Sequence, residues 1–324
     1  MLLDGSLRKL ADQVASSTPF LTLVTSTRGR TWQLGRMLES LEGQSFRDFE
    51  VILVDQNPDD RLGEVLAARP WSFPLRRLNA QTVGLSRGRN QGAGFAKGNV
   101  LLFPDDDCWY PPDFLERGLA KMDSLGADLL CGRASTLEGR GINGRYVRTA
   151  RRINKGNVWV CQIEWATFVR RSLLNALHGY DEELGLGADT PWQSAEGPDL
   201  ILRAIEAGAG CFFDPSLSGF HEEIQRRRPD PVTVAKLRSY GRGKGYVLRK
   251  HRYSVLQMAY WCGRSLTNVV RWAAVGDFAT ARAFWQVFIG RVEGCLGATA
   301  GERLAEGPSL RDEASGRNAP QRPL

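Results

Sequence analysis

Three neighbouring carboxylates form the strongest chemical signal in this sequence. Asp105, Asp106 and Asp107 follow directly on the apolar run NVLLF, residues 99–103. Like charges at this spacing repel each other, so either a divalent cation or a solvated turn must stabilise them. Carboxylate oxygens suit Mg²⁺ or Mn²⁺, and Mg²⁺ typically takes one or two carboxylates together with substrate phosphates. The spacing of an EF-hand calcium loop is absent, so that class of site is excluded.

The segments around this cluster predict an α/β fold. FLTLVT (20–25) and FEVILVD (49–55) are apolar runs of strand length, and apolar side chains recur at helical spacing between them. This arrangement predicts a βαβ unit with parallel strands. A helix at about 60–69, a short strand at 75–79 and a buried strand at 99–103 are expected to follow. Because ligands bind beyond the carboxyl ends of such strands, the position of the aspartates favours the functional interpretation over the solvated turn.

Other polar side chains are predicted at the same edge of the sheet. Asp55 ends the second strand, and STRGR (26–30) follows the first. The glycines of GLSRGRNQGAGFAKG (84–98) do not fit the dinucleotide-binding fingerprint, and GRGKG (241–245) does not fit the phosphate-binding loop. We therefore expect Arg89 and Asn90, which precede the strand before the aspartates, to reach the crevice.

The second half of the chain predicts one late helix and two amphipathic helices. Pro198 suits the first position of the late helix, with Gly197 as its N-cap, and a strand at 211–216 then leads toward His221. Apolar stripes predict amphipathic helices at 254–274 and 277–292.

The positive charge is concentrated in one segment. The chain carries a net charge of +7, and residues 226–252 hold ten Lys or Arg and one acidic residue, a local net of +9. No nucleic-acid-binding motif accompanies this segment, so nucleic acid is not an expected partner. The amphipathic helices that follow favour an anionic membrane surface as a partner. The alternative is that these helices only pack against the rest of the protein.

The cysteines and the apolar segments indicate the cellular compartment in which the protein is expected. Six cysteines occur without any C-x-x-C pair, which argues against a zinc site or a disulfide scaffold. The N-terminal residues lack the apolar core of a signal peptide, and no window approaches 18 uncharged apolar residues. We expect a cytoplasmic protein, with peripheral attachment to the inner face of the cell membrane as an option.

Six motifs in succession resemble a known enzyme family. They are VTSTRGR, LESLEGQSFRDFEVILVDQ, GLSRGRNQGAGFAKGNVLLFPDDD, RRSLLNALHGYDEELGLG, AEGPDLILRAIEAG and FDPSLSGFH. Their order and spacing over about 20–221 resemble the family 2 glycosyltransferases of the GT-A fold, especially bacterial enzymes of exopolysaccharide and lipopolysaccharide synthesis.

The resemblance implies a fold and a domain organisation. The fold would be a nucleotide-diphospho-sugar transferase-like single sheet of mostly parallel strands flanked by helices, with a C-terminal amphipathic helical extension. The catalytic domain would span 19–223, with a donor half at 19–110 and an acceptor half at 111–223. The extension would span 224–300, between a helical lead-in at 1–18 and a disordered tail at 301–324.

The resemblance also implies a reaction. A sugar would pass, with inversion and in a site that needs Mn²⁺ or Mg²⁺, from a nucleotide-diphosphate donor to a saccharide or lipid-linked saccharide. By position, the donor would contact Thr27, Asp55, Arg89, Asn90, Asp105 and Asp106. The metal would be held by Asp105, Asp107 and His221.

The sequence departs from this family at the general base. The family usually has Glu-Asp-x-Asp-Leu at the start of the late helix, and its first Asp is the base, whereas this chain has Gly197 there. Glu196 and Asp199 are the remaining candidates, and we favour Glu196 slightly because the helix dipole would lower the basicity of Asp199. A non-catalytic nucleotide-sugar-binding or scaffold protein is the alternative, and a nucleotidyltransferase is a weaker one.

Overall fold

The computed structural model describes residues 19–80, 82–224 and 227–298. The lead-in predicted at 1–18 and the tail predicted at 301–324 lie outside the described residues.

Eight strands of the described residues form one sheet. They are β1 (Leu21–Thr27), β2 (Phe49–Asp55), β3 (Leu75–Asn79), β4 (Val100–Leu102), β5 (Leu129–Ser135), β6 (Arg151–Arg152), β7 (Thr167–Arg170) and β8 (Cys211–Phe220). Their order across the sheet is β3-β2-β1-β4-β7-β5-β8-β6. The strands β3, β2, β1 and β4 run parallel, and so do β5 and β8. The strand β7 is antiparallel to both neighbours, and β6 is antiparallel to β8.

Helices cover both faces of this sheet. They are α1 (Trp32–Glu42), α2 (Gly63–Ala67), α3 (Leu85–Ala93), α4 (Phe114–Leu125), α5 (Arg171–Ala176), α6 (Glu196–Glu206), α7 (Pro231–Lys250), α8 (Val255–Ala274) and α9 (Phe278–Leu296). Two 3₁₀ turns, Val158–Val160 and Glu164–Ala166, precede β7.

The buried strands explain why the core has two halves. Side chains alternate between the faces of a strand, so Val51 and Leu53 of β2 pack with α1 while Ile52 and Val54 pack on the opposite face. Residues of the C-terminal helices, including Val247 and Trp261, belong to the second of these clusters. The C-terminal helices therefore complete the core on one face of the sheet.

The structure confirms most of the predicted elements and corrects three details. The helix expected at about 60–69 is reduced to Gly63–Ala67. The helix α6 begins at Glu196, and its N-cap is Ala195 with φ of 72° instead of Gly197. On α8, the helix predicted at 254–274, only Trp261, Cys262 and Ser265 are buried, so much of the apolar stripe, Val255 included, remains exposed.

Candidate functional site

The triple aspartate follows β4, and Asp106 faces the end of β1. Thr27 Oγ1, at the last residue of β1, donates to Asp106 Oδ2 at 2.6 Å, and Arg30 Nη1 lies 2.5 Å from Oδ1. Burial raises the pKa of Asp106 to about 6, an effect that the charge of Arg30 limits and that of Asp107 reinforces. Asp106 therefore anchors the cluster to the first strand.

Asp107 and His221 form the second pair of the site. His221 Nε2 lies 3.0 Å from Asp107 Oδ1, and Arg30 Nη2 lies 2.9 Å from Oδ2. Burial alone would raise the pKa of Asp107, but the hydrogen bond from His221 and the charge of Arg30 outweigh it and hold the pKa at about 2. Burial opposes the charged form of His221, yet Asp107 raises the histidine pKa to about 9.

Asp105 belongs to a different ion pair. Arg89 on α3 is almost fully buried, and its Nη2 donates to Asp105 Oδ1 at 2.9 Å while its Nη1 lies 3.3 Å from Glu196 Oε1. The guanidinium also lies over the ring of Tyr180, 5.2 Å from the centroid. A single buried cation thus connects the aspartate cluster to the start of α6.

Asp55 lines a separate cleft of about 340 Å³ beyond β2 and β3. Its Oδ2 accepts hydrogen bonds from Arg77 Nε at 2.9 Å and Nη2 at 2.6 Å, and its Oδ1 accepts from the side chain of Asn57 at 2.7 Å. The cleft lies at the same edge of the sheet as Thr27, because β1 and β2 pair with Thr27 opposite Asp55.

Asn90 does not join the carboxylates. Its Nδ2 donates to the backbone oxygen of Tyr180 and to Glu182 Oε1, both at 2.9 Å, and its Oδ1 accepts from the Tyr180 amide at 2.8 Å. The side chain therefore fixes the loop that follows α5, and a contact of Asn90 with a donor remains a prediction.

Asp199 is enclosed in an ion-pair cluster. Its side chain has no exposed surface, and its oxygens lie 2.8 Å from Arg203 Nε, 2.7 Å from Lys250 Nζ and 2.8 Å from His251 Nε2. Burial opposes ionisation, but His251 and Lys250 outweigh it and lower the pKa of Asp199 to about 2. This geometry corrects the expectation that Asp199 is open to an acceptor, because no oxygen of the carboxylate is accessible.

The three side chains predicted to bind a metal do not come together as one set. In the part of the chain that the structure describes, no group of three or more His, Cys, Asp or Glu is arranged to hold a metal ion. The physical reason is that Arg89 holds Asp105. Asp107 and His221 do fit, since 3.0 Å is about the separation of adjacent ligands that each lie about 2.1 Å from an octahedral ion. Two protein ligands suffice where substrate phosphates supply others.

Sequence reasoning missed three charged residues of this region. Arg30 lies in STRGR, which the sequence places after β1. Its position could therefore be predicted, although its ion pair with Asp106 could not. Arg77 carried no motif. Glu164 lies in the middle region, and nothing local indicates that it reaches α6.

Comparison with known proteins gives a family match over part of the chain. Residues 22–175 match the family described as glycosyl transferase family 2. An uncharacterized glycosyltransferase of Haemophilus influenzae is 35% identical over 31% of this chain and 33% of that protein. Glycosyltransferase AglE of Haloferax volcanii is 25% identical over 76% of this chain and 81% of its own. The succinoglycan biosynthesis protein ExoO of Rhizobium meliloti is 25% identical over 61% and 59%.

The share of each relative that is matched varies. The chain spans about a third of the length of the Haemophilus protein.

Solved structures support the predicted fold. The mannosyltransferase PcManGT of Pyrobaculum calidifontis, solved with GDP-Man and Mn²⁺, has a TM-score of 0.60 at 12% identity and covers 88% of this chain and 89% of its own. TarS of S. aureus, solved with UDP, has a TM-score of 0.52 at 16% identity and covers 89% and 94%. The chain has the GT-A fold with C-terminal helices, as predicted, and its residues 22–175 match glycosyl transferase family 2.

Proposed function

We propose that the protein is an inverting glycosyltransferase of bacterial surface polysaccharide synthesis. It would transfer a sugar from a nucleotide-diphosphate donor to a hydroxyl of a saccharide or lipid-linked saccharide. One observation carries the proposal: the aspartates that follow β4 lie at the same sheet edge as the Asp55 cleft, and they pair with Arg30, Arg89 and His221. The similarity to ExoO, a succinoglycan biosynthesis protein, and the GDP-Man bound to PcManGT support it.

The donor is assigned by the chemistry of the crevice. The Asp55 cleft, with Thr27 beside it, is suited to the nucleoside, since its carboxylate and amide groups can bind hydroxyl and base N–H groups. Arg30 carries positive charge beside Asp107, which suits a diphosphate. A manganese or magnesium ion held by Asp107 and His221 would neutralise charge on the leaving diphosphate.

The acceptor requires a carboxylate on the opposite side from the leaving group. The sequence indicated Glu196 and Asp199 as candidates for this base. Asp199 is enclosed by the side chains of Arg203, Lys250 and His251. Glu196 contacts Arg89, which suits it to positioning that arginine.

We also propose peripheral attachment to the inner face of the cell membrane. No helix of the described residues is long and apolar enough to span a bilayer. On α8, α9 and the turn between them, however, a group of apolar side chains is largely exposed, which we call the C-terminal apolar patch: Val255, Leu256, Tyr260, Val270, Val275, Phe278 and Trp285. Such a surface beside arginines suits the interface of an anionic bilayer.

Calorimetric titration of the full chain with UDP-, dTDP- and GDP-sugars, with and without Mn²⁺, tests the proposed function. We expect one nucleotide class to bind and Mn²⁺ to tighten its binding. The Asp107→Ala variant should lose about tenfold or more of the Mn²⁺-dependent affinity. Asp113→Ala removes an exposed carboxylate beside α4 and should bind like the wild type.

The outcomes separate the alternatives. Failure to bind any donor would exclude the proposed activity. Tight binding with no turnover on any lipid or saccharide extract would favour the non-catalytic scaffold that Gly197 suggests. Release of pyrophosphate from a nucleoside triphosphate would indicate a nucleotidyltransferase.

A further inference from the structure

The side chain of Glu164 occupies the place where a side chain at position 197 would begin. A Cβ atom built on Gly197 would lie 2.2 Å from Glu164 Cγ and 2.7 Å from both Cδ and Oε1. Non-bonded carbon atoms pack at about 3.5–4.0 Å, so the present position of Glu164 is incompatible with any larger residue at 197. Because glycine stands at 197, where the family usually has aspartate, there is room for the Glu164 side chain.

The two residues come from different elements, so a negative charge is retained at the same place by another route. Gly197 is the second residue of α6, whereas Glu164 begins the 3₁₀ turn before β7. A carboxylate supplied from the turn takes up the space that a carboxylate from the helix would otherwise fill.

The turn that carries Glu164 is fixed against the crevice. The next residue, Trp165, is buried and its ring stacks on His221 with centroids 5.9 Å apart. The hydroxyl of Tyr110 donates to the Trp165 carbonyl. The backbone of the turn is thus fixed beside His221, which contacts Asp107.

The Glu164 carboxylate is free to accept a proton. Apart from its own backbone N–H, it accepts no hydrogen bond from any residue that the structure describes, and the residue is half-buried. The charged groups that face it are Glu196 of α6, Arg89 of α3 and Asp105 beyond β4. Burial, followed by the charge of Glu196, raises the pKa of Glu164 to about 7, and Arg89 limits the rise. A general base works best when its pKa is close to the operating pH.

We propose that Glu164 is the general base for the acceptor hydroxyl, in place of the aspartate that Gly197 replaces. This inference rests on the proposed function. The hydroxyl oxygen forms the new bond to the anomeric carbon as the bond from that carbon to the diphosphate oxygen breaks. The hydroxyl proton passes to the Glu164 carboxylate, and the nucleoside diphosphate leaves with the bonding electron pair.

The Glu164→Gln variant tests the role while keeping the packing against Gly197. With the donor and Mn²⁺ identified by calorimetry, the release of nucleoside diphosphate is measured with water and with a bacterial lipid extract as acceptors. We expect donor affinity within about threefold of wild type and turnover lower by about 10²–10⁴-fold. The wild-type rate should rise with pH through about 7, and this rise should be absent in the variant. The matched control, Glu64→Gln on the exposed surface of α2, should behave like the wild type.

A swapped pair of substitutions distinguishes a base from a residue that only fills space. Glu164→Ala removes all three atoms that crowd position 197, so Glu164→Ala/Gly197→Asp places a carboxylate on α6 instead. We expect Glu164→Ala alone to lose turnover and the double variant to recover at least about tenfold of it. Gly197→Asp alone should lose stability, because both side chains then compete for one space.

The outcomes overturn different claims. If the wild type binds no donor or releases no nucleoside diphosphate, the proposed function fails and this inference fails with it. If the wild type turns over and Glu164→Gln retains its rate and pH profile, the proposed function stands and the assignment of Glu164 is wrong. Recovery in the double variant would support the relocated base.

Discussion

Arg89 is the residue on which the charges of the crevice depend. It is 1% exposed, contacts Asp105 and Glu196, and faces Glu164 as well. Three carboxylates in one low-dielectric region would repel each other without this cation. Its pKa is raised above the ordinary arginine value because the surrounding negative charges outweigh its burial, so it stays charged at every physiological pH.

Replacement of Arg89 by alanine should therefore be costly. We expect a loss of about 3–5 kcal/mol in the free energy of unfolding, since buried partners of the removed charge are left uncompensated. Urea denaturation measures this. Arg87→Ala, two residues away on the same helix, breaks more exposed pairs with Asp189 and Glu182 and should cost much less. Equal losses in both variants would contradict the role given to Arg89.

Asp199 gives a pH dependence with a defined sign. Its pKa is about 2 in the folded chain against an ordinary 3.8. The ionised side chain therefore stabilises the fold above about pH 4, and this stabilisation is lost as the pH drops toward 2. From these values the contribution is about 2 kcal/mol at neutral pH, and about 1 kcal/mol of it is lost by pH 3. The difference in unfolding free energy between wild type and Asp199→Asn should shrink accordingly. An unchanged difference at pH 3 would refute this, and Asp123→Asn, on an exposed part of α4, is the control.

At the scale of the elements, α7 and α9 are packed closely enough that only glycine fits between them. Added Cβ atoms would lie 2.6 Å from a backbone oxygen at Gly241, 2.2 Å at Gly245, and 2.1 Å at both Gly290 and Gly294. The contacts are made with the backbone of the facing helix, which cannot rotate away as a side chain can. The glycines of GRGKG, which fit no phosphate loop in the sequence, thus have a packing role.

The Gly294→Ala variant should force these helices apart. We expect the free energy of unfolding to fall by about 1–3 kcal/mol, the usual cost of overpacking. The measurement is a lower Tm. Gly263→Ala on α8 is the matched control, because an added Cβ there meets nothing within 4 Å. It should instead stabilise the chain by about 0.5–1 kcal/mol, since alanine favours the helix. The same sign of effect at both positions would show that the close approach is not limiting.

The elements of the first hundred residues were readable because their signals are local. β2 and β3 have the predicted ends, and the apolar spacing of Leu34, Met37, Leu38 and Leu41 marks the buried face of α1. The carboxylates after β4 followed from the same pattern. The contact of Glu164 with Gly197 could not be predicted in this way, because the two residues lie 33 positions apart in different elements. Such a contact produces no periodic pattern of residues in the sequence. The loss of the usual aspartate was visible, but the residue that fills its space was not.

At the scale of the whole molecule, part of the basic segment makes contacts inside the protein. Arg238 and Arg242 bind Glu293 of α9, and Lys250 lies 2.6 Å from Asp181 and 2.7 Å from Asp199. Lys244 lies between two indole rings, 3.9 Å from the centroid of Trp261 and 4.3 Å from that of Trp159. Charge in this segment therefore stabilises the attachment of the C-terminal helices.

The C-terminal apolar patch is the surface that a membrane would contact. Phe278, Arg282 and Trp285 are spaced to share one face of α9, and all three are exposed. Burial of large apolar side chains is favourable by about 1.5–3 kcal/mol each, and an arginine near an anionic surface adds about 1 kcal/mol. We expect the full chain to cosediment with vesicles of phosphatidylglycerol and phosphatidylcholine, and less with phosphatidylcholine alone.

Two variants separate the apolar and electrostatic parts of that binding. Leu256→Ser/Phe278→Ser removes side chains that are 83% and 71% exposed, so the fold should be unchanged while vesicle affinity falls by about tenfold or more. Arg271→Gln/Arg282→Gln should weaken binding mainly at low salt, because added ions already screen these charges at high salt. Leu137→Ser, an exposed apolar residue (67%) outside the patch, should bind like the wild type.

Equal binding by all variants would exclude the patch as the contact surface. A wild-type chain that sediments as a dimer without vesicles, and that Phe278→Ser returns to a monomer, would assign the patch to a second copy of the protein instead.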